Sequence, residues 1–400
     1  MMDLLYLSHC APDAPDKGEK IRAFHMVQYL ASRYRLHLVC FARTDAEVAA
    51  TRAMANCASV YVEKISPHTA LAKAAWGFLW GSCLNTRYFR SPAMREHVGR
   101  LSSSVKLSAA VAYCTVMAPY APPGIPLLLD MSDVDSQKWL QYAQMRTPSF
   151  PFAMEAKRLR MEETLYAEAA RRTIVMTAQE CRLLKSFAPR TDATHIENGV
   201  DFERFSPPPN PPEPELRGRK FLAFVGFMDY FPNIDAVVWF ADEVFGELRG
   251  RDAGLELGIV GKNPTRAVRR LASRPGIWLK PSPTDVRPYL SAAAAVVTPL
   301  RLARGVQNKV LEGLAMGKGV FASTPICDTL GDPLPLGVVH CRDAREFVER
   351  ISATLLVPAA CDPAIRRAAQ SRFSWARALE RMHAELVSVA GSAAPSGCHI

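Results

Sequence analysis

The chain has 400 residues, 49% of them apolar, and carries 49 Lys and Arg against 39 Asp and Glu. That length exceeds one ordinary core and suits two domains of about 150–200 residues each. Ten cysteines stand singly, with no C-x-x-C pair and no Cys/His cluster at zinc spacing, which excludes a disulfide framework and a zinc site and points to free thiols in a reducing cytosol.

The amino-terminal "MMDLLYLSH" has no basic region before its short apolar run, so it is read as a first strand and not as a signal peptide. A polar loop, "CAPDAPDKGEKIR", then feeds a helix and places Lys17, Gly18, Lys20 and Arg22 near its start. One glycine is no G-x-G-x-x-G fingerprint, so a nicotinamide dinucleotide is disfavoured. The cations suit a phosphate, or else an ordinary solvated loop. "LHLVCFA" and "SVYVEK" follow as strands. From Lys64 to Lys106 there are seven Lys and Arg against one acid, Glu96, beside the apolar "ALAKAAWGFLWGSCL" with Trp76, Phe78 and Trp80. Basic residues next to an aromatic amphipathic stretch suggest contact with anionic lipid headgroups over residues 64–106. A core helix with a solvated basic flank is the alternative. Nucleic acid is not expected, since no binding motif accompanies the charge. No apolar stretch reaches the roughly 18 residues that a spanning helix needs.

"AAVAYC" and "PLLLDMSD" continue the strand series, a long helix is expected near 152–172, and "TIVMTA" closes the half. Asp130 falls at a strand end, with Asp133 and Asp135 after it. A calcium-loop pattern is missing. Ser132 or Asp133 can cap the next helix, and Asp130 is the candidate for hydrogen bonding to substrate hydroxyls. The pattern breaks at "IENGVDFERFSPPPNPPEPELRGRK", where six prolines between Pro207 and Pro214 rule out a helix or central strand. A second strand–helix series then runs "KFLAFVG", "LELGIVG", "GIWLK", "AAAVVTPL" and "GVFAST", and "FSWARALERMHAELVSVA" forms a last amphipathic helix. Strands alternating with helices indicate parallel sheets covered on both faces. The fold class is therefore α/β, with two Rossmann-like domains facing across a cleft and a C-terminal helix able to return to the first. The expected boundaries are 1–200 for the first domain, 201–219 for the linker, 220–373 for the second domain, 374–391 for the helix and 392–400 for a tail.

The richest stretch is "RLARGVQNKVLEGLAMGKGVFAST", Arg301 to Thr324. If a helix starts near Gln307–Asn308, the amides of Gly305, Val306, Gln307 and Asn308 point out of its positive end, which suits phosphate. Arg301, Arg304 and Lys309 add charge-assisted contacts to a diphosphate. Gly226 closes the first strand of the same domain. Glu312 follows Lys309 by about one turn, and a carboxylate there can accept two hydrogen bonds from a ribose diol. A plain Lys309–Glu312 surface pair is the competing account.

The segments "ENGVDFERFSP", "FVGFMDYFPNIDAVVWF", "LGIVGKNP", "DVRPYLSAAAAVVTPL" and "RGVQNKVLEGLAMGKGVFAST" resemble the GT-B-fold glycosyltransferases, specifically the retaining family 4. "DKGEKIR", "DVDSQKW" and "RGVQNKVLE" more narrowly resemble sugar transferases associated with PEP-CTERM/exosortase and exopolysaccharide loci. The resemblance implies transfer from a UDP- or GDP-linked sugar to a hydroxyl of a lipid-linked or exopolysaccharide precursor, with retention. It implies no cofactor or metal, and a cytoplasmic enzyme peripheral on the inner membrane face. Glu312 matches the ribose-binding glutamate of the family. The family's other glutamate, separated from it by seven intervening residues, falls at Arg304, so sugar recognition does not carry over. The usual diphosphate-gripping Arg and Lys fall at Phe227 and Pro232, which leaves Arg304 and Lys309 to neutralise phosphate. The glycine usual before the base-binding loop falls at Pro281. A nucleotide-sugar epimerase of the same fold, or a non-catalytic sugar- or lipid-binding scaffold, is the alternative reading.

Overall fold

The computed structural model describes residues 1–14, 18–145, 147–207, 214–354 and 361–391. The chain divides into two compact units, one of residues 1–197 with 378–400 and one of residues 198–377. Lys17, the proline-rich stretch 208–213 and the tail 392–400 lie outside the described residues.

The first unit holds a seven-stranded sheet built from β1 (Asp3–Ser8), β2 (Arg35–Ala42), β3 (Ser59–Lys64), β4 (Leu107–Tyr113), β5 (Leu127–Ser132), β6 (Arg172–Val175) and β7 (Ala193–His195). Its spatial order is β3-β2-β1-β4-β5-β6-β7, and every pairing is parallel. Nearly every residue of β1 and β2 is buried, because helices cover both faces and polar alternation would strand polar groups in the core. The strand β7, "ATH", is too short and too polar for its sequence to announce it.

The second unit carries six strands: β8 (Lys220–Val225), β9 (Leu255–Gly261), β10 (Ile277–Pro281), β11 (Ala295–Thr298), β12 (Val320–Ser323) and β13 (Val338–Cys341). They are parallel in the order β10-β9-β8-β11-β12-β13. From β8 the chain winds outward through β9 and β10, then returns to lay β11 on the other side of β8. Ligands of such sheets bind beyond the carboxyl ends of strands where the winding reverses. In the first unit that point lies between β1 and β4, and in the second between β8 and β11.

The "ENGVD" turn belongs to the second unit. Asp201 Oδ1 accepts the amides of Glu203 at 3.0 Å and Arg204 at 2.9 Å, closing the turn. Arg366 gathers the carbonyls of Phe202, Phe205 and Ala315. Val200 bridges to Ser374, and its amide donates to Phe373 O at 2.8 Å. The last helix, Trp375–Gly391, begins in the second unit and continues on the first. There it buries Met382, Leu386 and Val389, with His383 bonded to Tyr34 at 2.8 Å and Glu385 paired with Arg172 at 2.9 Å.

Candidate functional site

At the reversal point of the second sheet, Gly226 directly follows β8 and Gly261 ends β9. A Cβ on Gly261 would lie 1.7 Å from Gly226 O, and one on Gly226 would lie 2.8 Å from Asn233 Nδ2 and 3.2 Å from Lys309 Nζ. Backbone closes the position at Gly261, and a side chain at Gly226 would have to displace the ends of Asn233 and Lys309. The strand ends therefore present bare backbone to the space where Lys309 arrives.

After β11 the chain runs through Arg301, Arg304, Gly305 and Val306 into the helix Asn308–Ala315, with Gln307 at its N-cap. Gly305 adopts a left-handed φ of 58° and is buried with Val306, which turns the backbone into the helix. Gln307 folds its side chain back, Nε2 donating to Arg304 O at 2.7 Å. The Asn308 Oδ1 atom is enclosed without a hydrogen-bond partner. The first helical amides lack intrahelical acceptors, and their dipoles sum to partial positive charge at this end.

Lys309 sits on the inward face of that helix, 8% exposed. Its Nζ donates to Asn233 Oδ1 at 2.5 Å and lies 4.7 Å from the centre of the Phe224 ring. Asn233 is held in turn by donating from Nδ2 to Phe227 O at 2.9 Å. The ammonium thus has a neutral acceptor and an aromatic face, and no carboxylate within hydrogen-bonding distance among the described residues. Burial drives Lys309 down to about 7 despite the opposing field of Glu312. Burial likewise drives Glu312 up to about 7, with Lys309 and Arg204 acting against it. The surface ion pair allowed by their spacing does not form, because Lys309 turns toward the strand ends.

The other cations are disposed differently. Arg301 is exposed and paired with Asp235, its Nε donating to Oδ2 at 2.9 Å. Arg304 is half-buried. Pro232 stands in the first turn of the helix Phe231–Glu243, and Phe227 receives Lys262 Nζ at 5.8 Å from its ring. Neither can neutralise phosphate. Asn233, Phe224 and Gly261 were not singled out by sequence. The recurring Val-Gly at the ends of β8 and β9 was the signal available for the glycine.

In the first unit the N-terminal loop differs from the phosphate site allowed by its sequence. Gly18 opens the helix Gly18–Ala31. Lys20 is buried between Asp13 at 2.7 Å and Glu47 at 2.8 Å. Arg22, 1% exposed, grips Asp130, 0% exposed, through Nε–Oδ2 at 2.7 Å and Nη2–Oδ1 at 3.1 Å, and also donates to Ile196 O at 3.2 Å. Asp130 is therefore no free acceptor for substrate hydroxyls. A carboxylate so far from water needs its guanidinium, and the pair ties β5 to the first helix. Near the reversal point, His9 Nε2 lies 3.8 Å from Glu19 Oε2, and Arg43 donates to Glu19 Oε1 at 2.9 Å. Burial alone would raise Glu19, but His9 and then Arg43 hold it down to about 2.

No group of three or more His, Cys, Asp or Glu that could hold a metal occurs among the described residues. No helix among them is long and apolar enough to cross a membrane.

The profile of a family described as "Glycosyl transferases group 1" matches residues 219–356, most of the second unit. No curated protein matches the chain. Among solved structures it is similar to a sucrose-phosphate synthase from Thermosynechococcus elongatus, with TM-score 0.71 and 16% identity over 98% of this chain and 100% of that one. It is also similar to a glycosyltransferase from Rickettsia africae, with TM-score 0.65 and 11% identity over 97% and 98% of the two chains. Anabaena HepE in complex with UDP aligns with TM-score 0.64 and 13% identity over 97% of this chain and 100% of that one. At such identities the likeness establishes the fold: two parallel-sheet units in the GT-B arrangement of elements.

Proposed function

We propose that this chain transfers a glycosyl group from a nucleotide diphosphate sugar to a hydroxyl acceptor, using the second unit to hold the donor. The observation that carries the reading is the Gly226–Asn233–Lys309 cradle at the strand reversal, with Glu312 one turn further along the same helix. The family profile over 219–356 and the UDP found with HepE support it. In this reading the helix amides and Lys309 meet the diphosphate, with Arg304 beside them, and Glu312 accepts the ribose hydroxyls. The leaving group is a dianion, so stabilising its developing charge is the main electrostatic contribution. The same reading assigns no metal to that task. It takes the reaction as retaining, with attack from the face of the departing phosphate, which removes the acceptor proton; no glycosidase-type carboxylate pair is then required. It takes the acceptor as a lipid-linked or exopolysaccharide precursor and the protein as peripheral on an anionic membrane.

The test is a thermal-shift series with UDP, GDP and their sugars. A ligand bound only by the native state stabilises it by about 2.7 kcal/mol at a hundredfold excess over Kd. One nucleotide series should raise Tm, and Lys309→Ala should lose most of that response. No shift with any nucleotide would overturn the reading.

A further inference from the structure

The helix Pro67–Leu79 is packed inside out. Its buried positions are Ala70, Ala74 and Gly77, one turn apart, and the large apolar residues point to solvent. Leu71 is 61% exposed, Trp76 64%, Leu79 74% and Trp80 75%, and the two indoles lie 6.2 Å apart. A core helix does the reverse, since burying one large side chain stabilises by about 1.5–3 kcal/mol. Small residues inside and tryptophans outside leave an apolar ridge that this fold does not cover.

Beside the ridge lies a cavity of about 260 Å3 whose lining includes Arg87, Arg90, Arg158, Thr86 and Glu162. Arg158 is committed: it lies 4.5 Å from the Phe78 ring centre and donates to Phe78 O at 2.7 Å and Ser82 O at 3.1 Å, closing the end of the helix. Gly77 leaves room for the Arg87 stem, since a Cβ there would meet Arg87 Cγ at 3.0 Å. The guanidinium groups of Arg87 and Arg90 have no acceptor among the described residues. The one acid of the lining, Glu162, accepts from Thr86, and burial pushes its carboxyl upward toward the neutral form. Lys73 is exposed on the same helix. Apolar ridge and unpaired guanidinium groups together match a bilayer surface, where acyl chains lie under anionic headgroups.

We propose that this face docks on an anionic bilayer, Trp76, Leu79 and Trp80 entering the acyl boundary while Arg87 and Arg90 hold a lipid headgroup phosphate in the cavity. It deepens the membrane contact of the proposed function by naming the residues and the headgroup site. It depends on neither the sugar nor the donor site.

The experiment is co-sedimentation of the full chain, without nucleotide, with phosphatidylcholine vesicles and with vesicles also containing phosphatidylglycerol. Tryptophan emission is read in parallel. The parent should bind the anionic vesicles with a blue shift and the neutral ones far more weakly. Trp76→Ser/Trp80→Ser should weaken binding to anionic vesicles by roughly tenfold or more. Arg87→Ser/Arg90→Ser should lose most of the anionic preference, on the order of tenfold. Leu79→Asp on the same ridge gives an independent reading, and circular dichroism confirms that each variant is folded. Three results would each overturn the proposal: equal or no binding to both vesicles, a tryptophan double variant that binds like the parent, or a lipid-free self-association abolished by that variant. Because no nucleotide is present, failure here leaves glycosyl transfer untouched, and failure of donor binding leaves this docking face untouched.

Discussion

Lys309 is an ammonium placed where its charge is least supported until a ligand brings its own. Burial lowers its ordinary value to about 7, so its protonation responds at neutral pH to charge brought beside it. If the donor diphosphate sits there as proposed, it favours the charged form and raises that value, so binding takes up a proton above pH 7. Donor affinity is then full below about 7 and declines as pH rises toward the bound-state value, by at most about tenfold per pH unit. Titration calorimetry in buffers of different ionisation enthalpy should record that uptake, and Lys309→Met should bind weakly with a flat pH profile. Unchanged affinity in Lys309→Met would remove this residue from the site. Lys309 and Glu312 were visible in the sequence because their spacing is local. Asn233 was not, since it meets Lys309 across 76 residues and only the sheet order brings them together. Asp130 misled for the same reason: a carboxylate at a strand end looks available until Arg22, 108 residues away, is seen to cover it.

At the scale of elements, buried glutamates finish helices that their own sequences leave open. Glu155 accepts the amides of Leu84 at 2.8 Å and Asn85 at 3.0 Å, at the start of the helix Leu84–Tyr88. Glu180 accepts Val134 N at 2.7 Å, and Glu163 accepts Ser136 N at 2.9 Å, both at the start of the helix Asp135–Met145. Burial pushes Glu163 up to about 8, and its Oε2 has no partner, as suits a protonated carboxyl. A carboxyl raised in the folded state gives stability that is present below its unfolded value and lost as pH rises through about 8. Thermal melts from pH 5 to 8 should therefore fall with pH in the parent and run flatter in Glu163→Gln, which keeps the acceptor without the charge. A steeper fall in the variant would contradict this. Apolar runs such as "KFLAFV" and "LELGIVG" made most strands legible, because burial on both faces writes itself locally. The strands β7 and β13 and these caps escaped, because short edge strands and caps from distant helices leave no periodic mark.

For the whole molecule, the decisive feature is a first unit that is discontinuous in sequence. The last helix carries Met382, Leu386 and Val389 into its core and supplies partners to Tyr34 and Arg172. Removing residues 378–400 should lower the melting transition of the first unit and leave that of the second nearly in place, as two resolved calorimetric peaks. A single transition shifted as a whole would instead show that both units melt together. The alternation of strands and helices foretold two sheets, and the amphipathic final segment foretold a helix. Which strands each helix covers is set by packing between distant segments. The return of the chain also fixes an order of events during biosynthesis. At about 5–20 residues per second, a ribosome spends on the order of ten to forty seconds making the second unit before the closing helix emerges. Throughout that interval the first unit lacks the buried side chains of Met382 and Leu386, so a folding factor has a defined window in which to shield what they will cover.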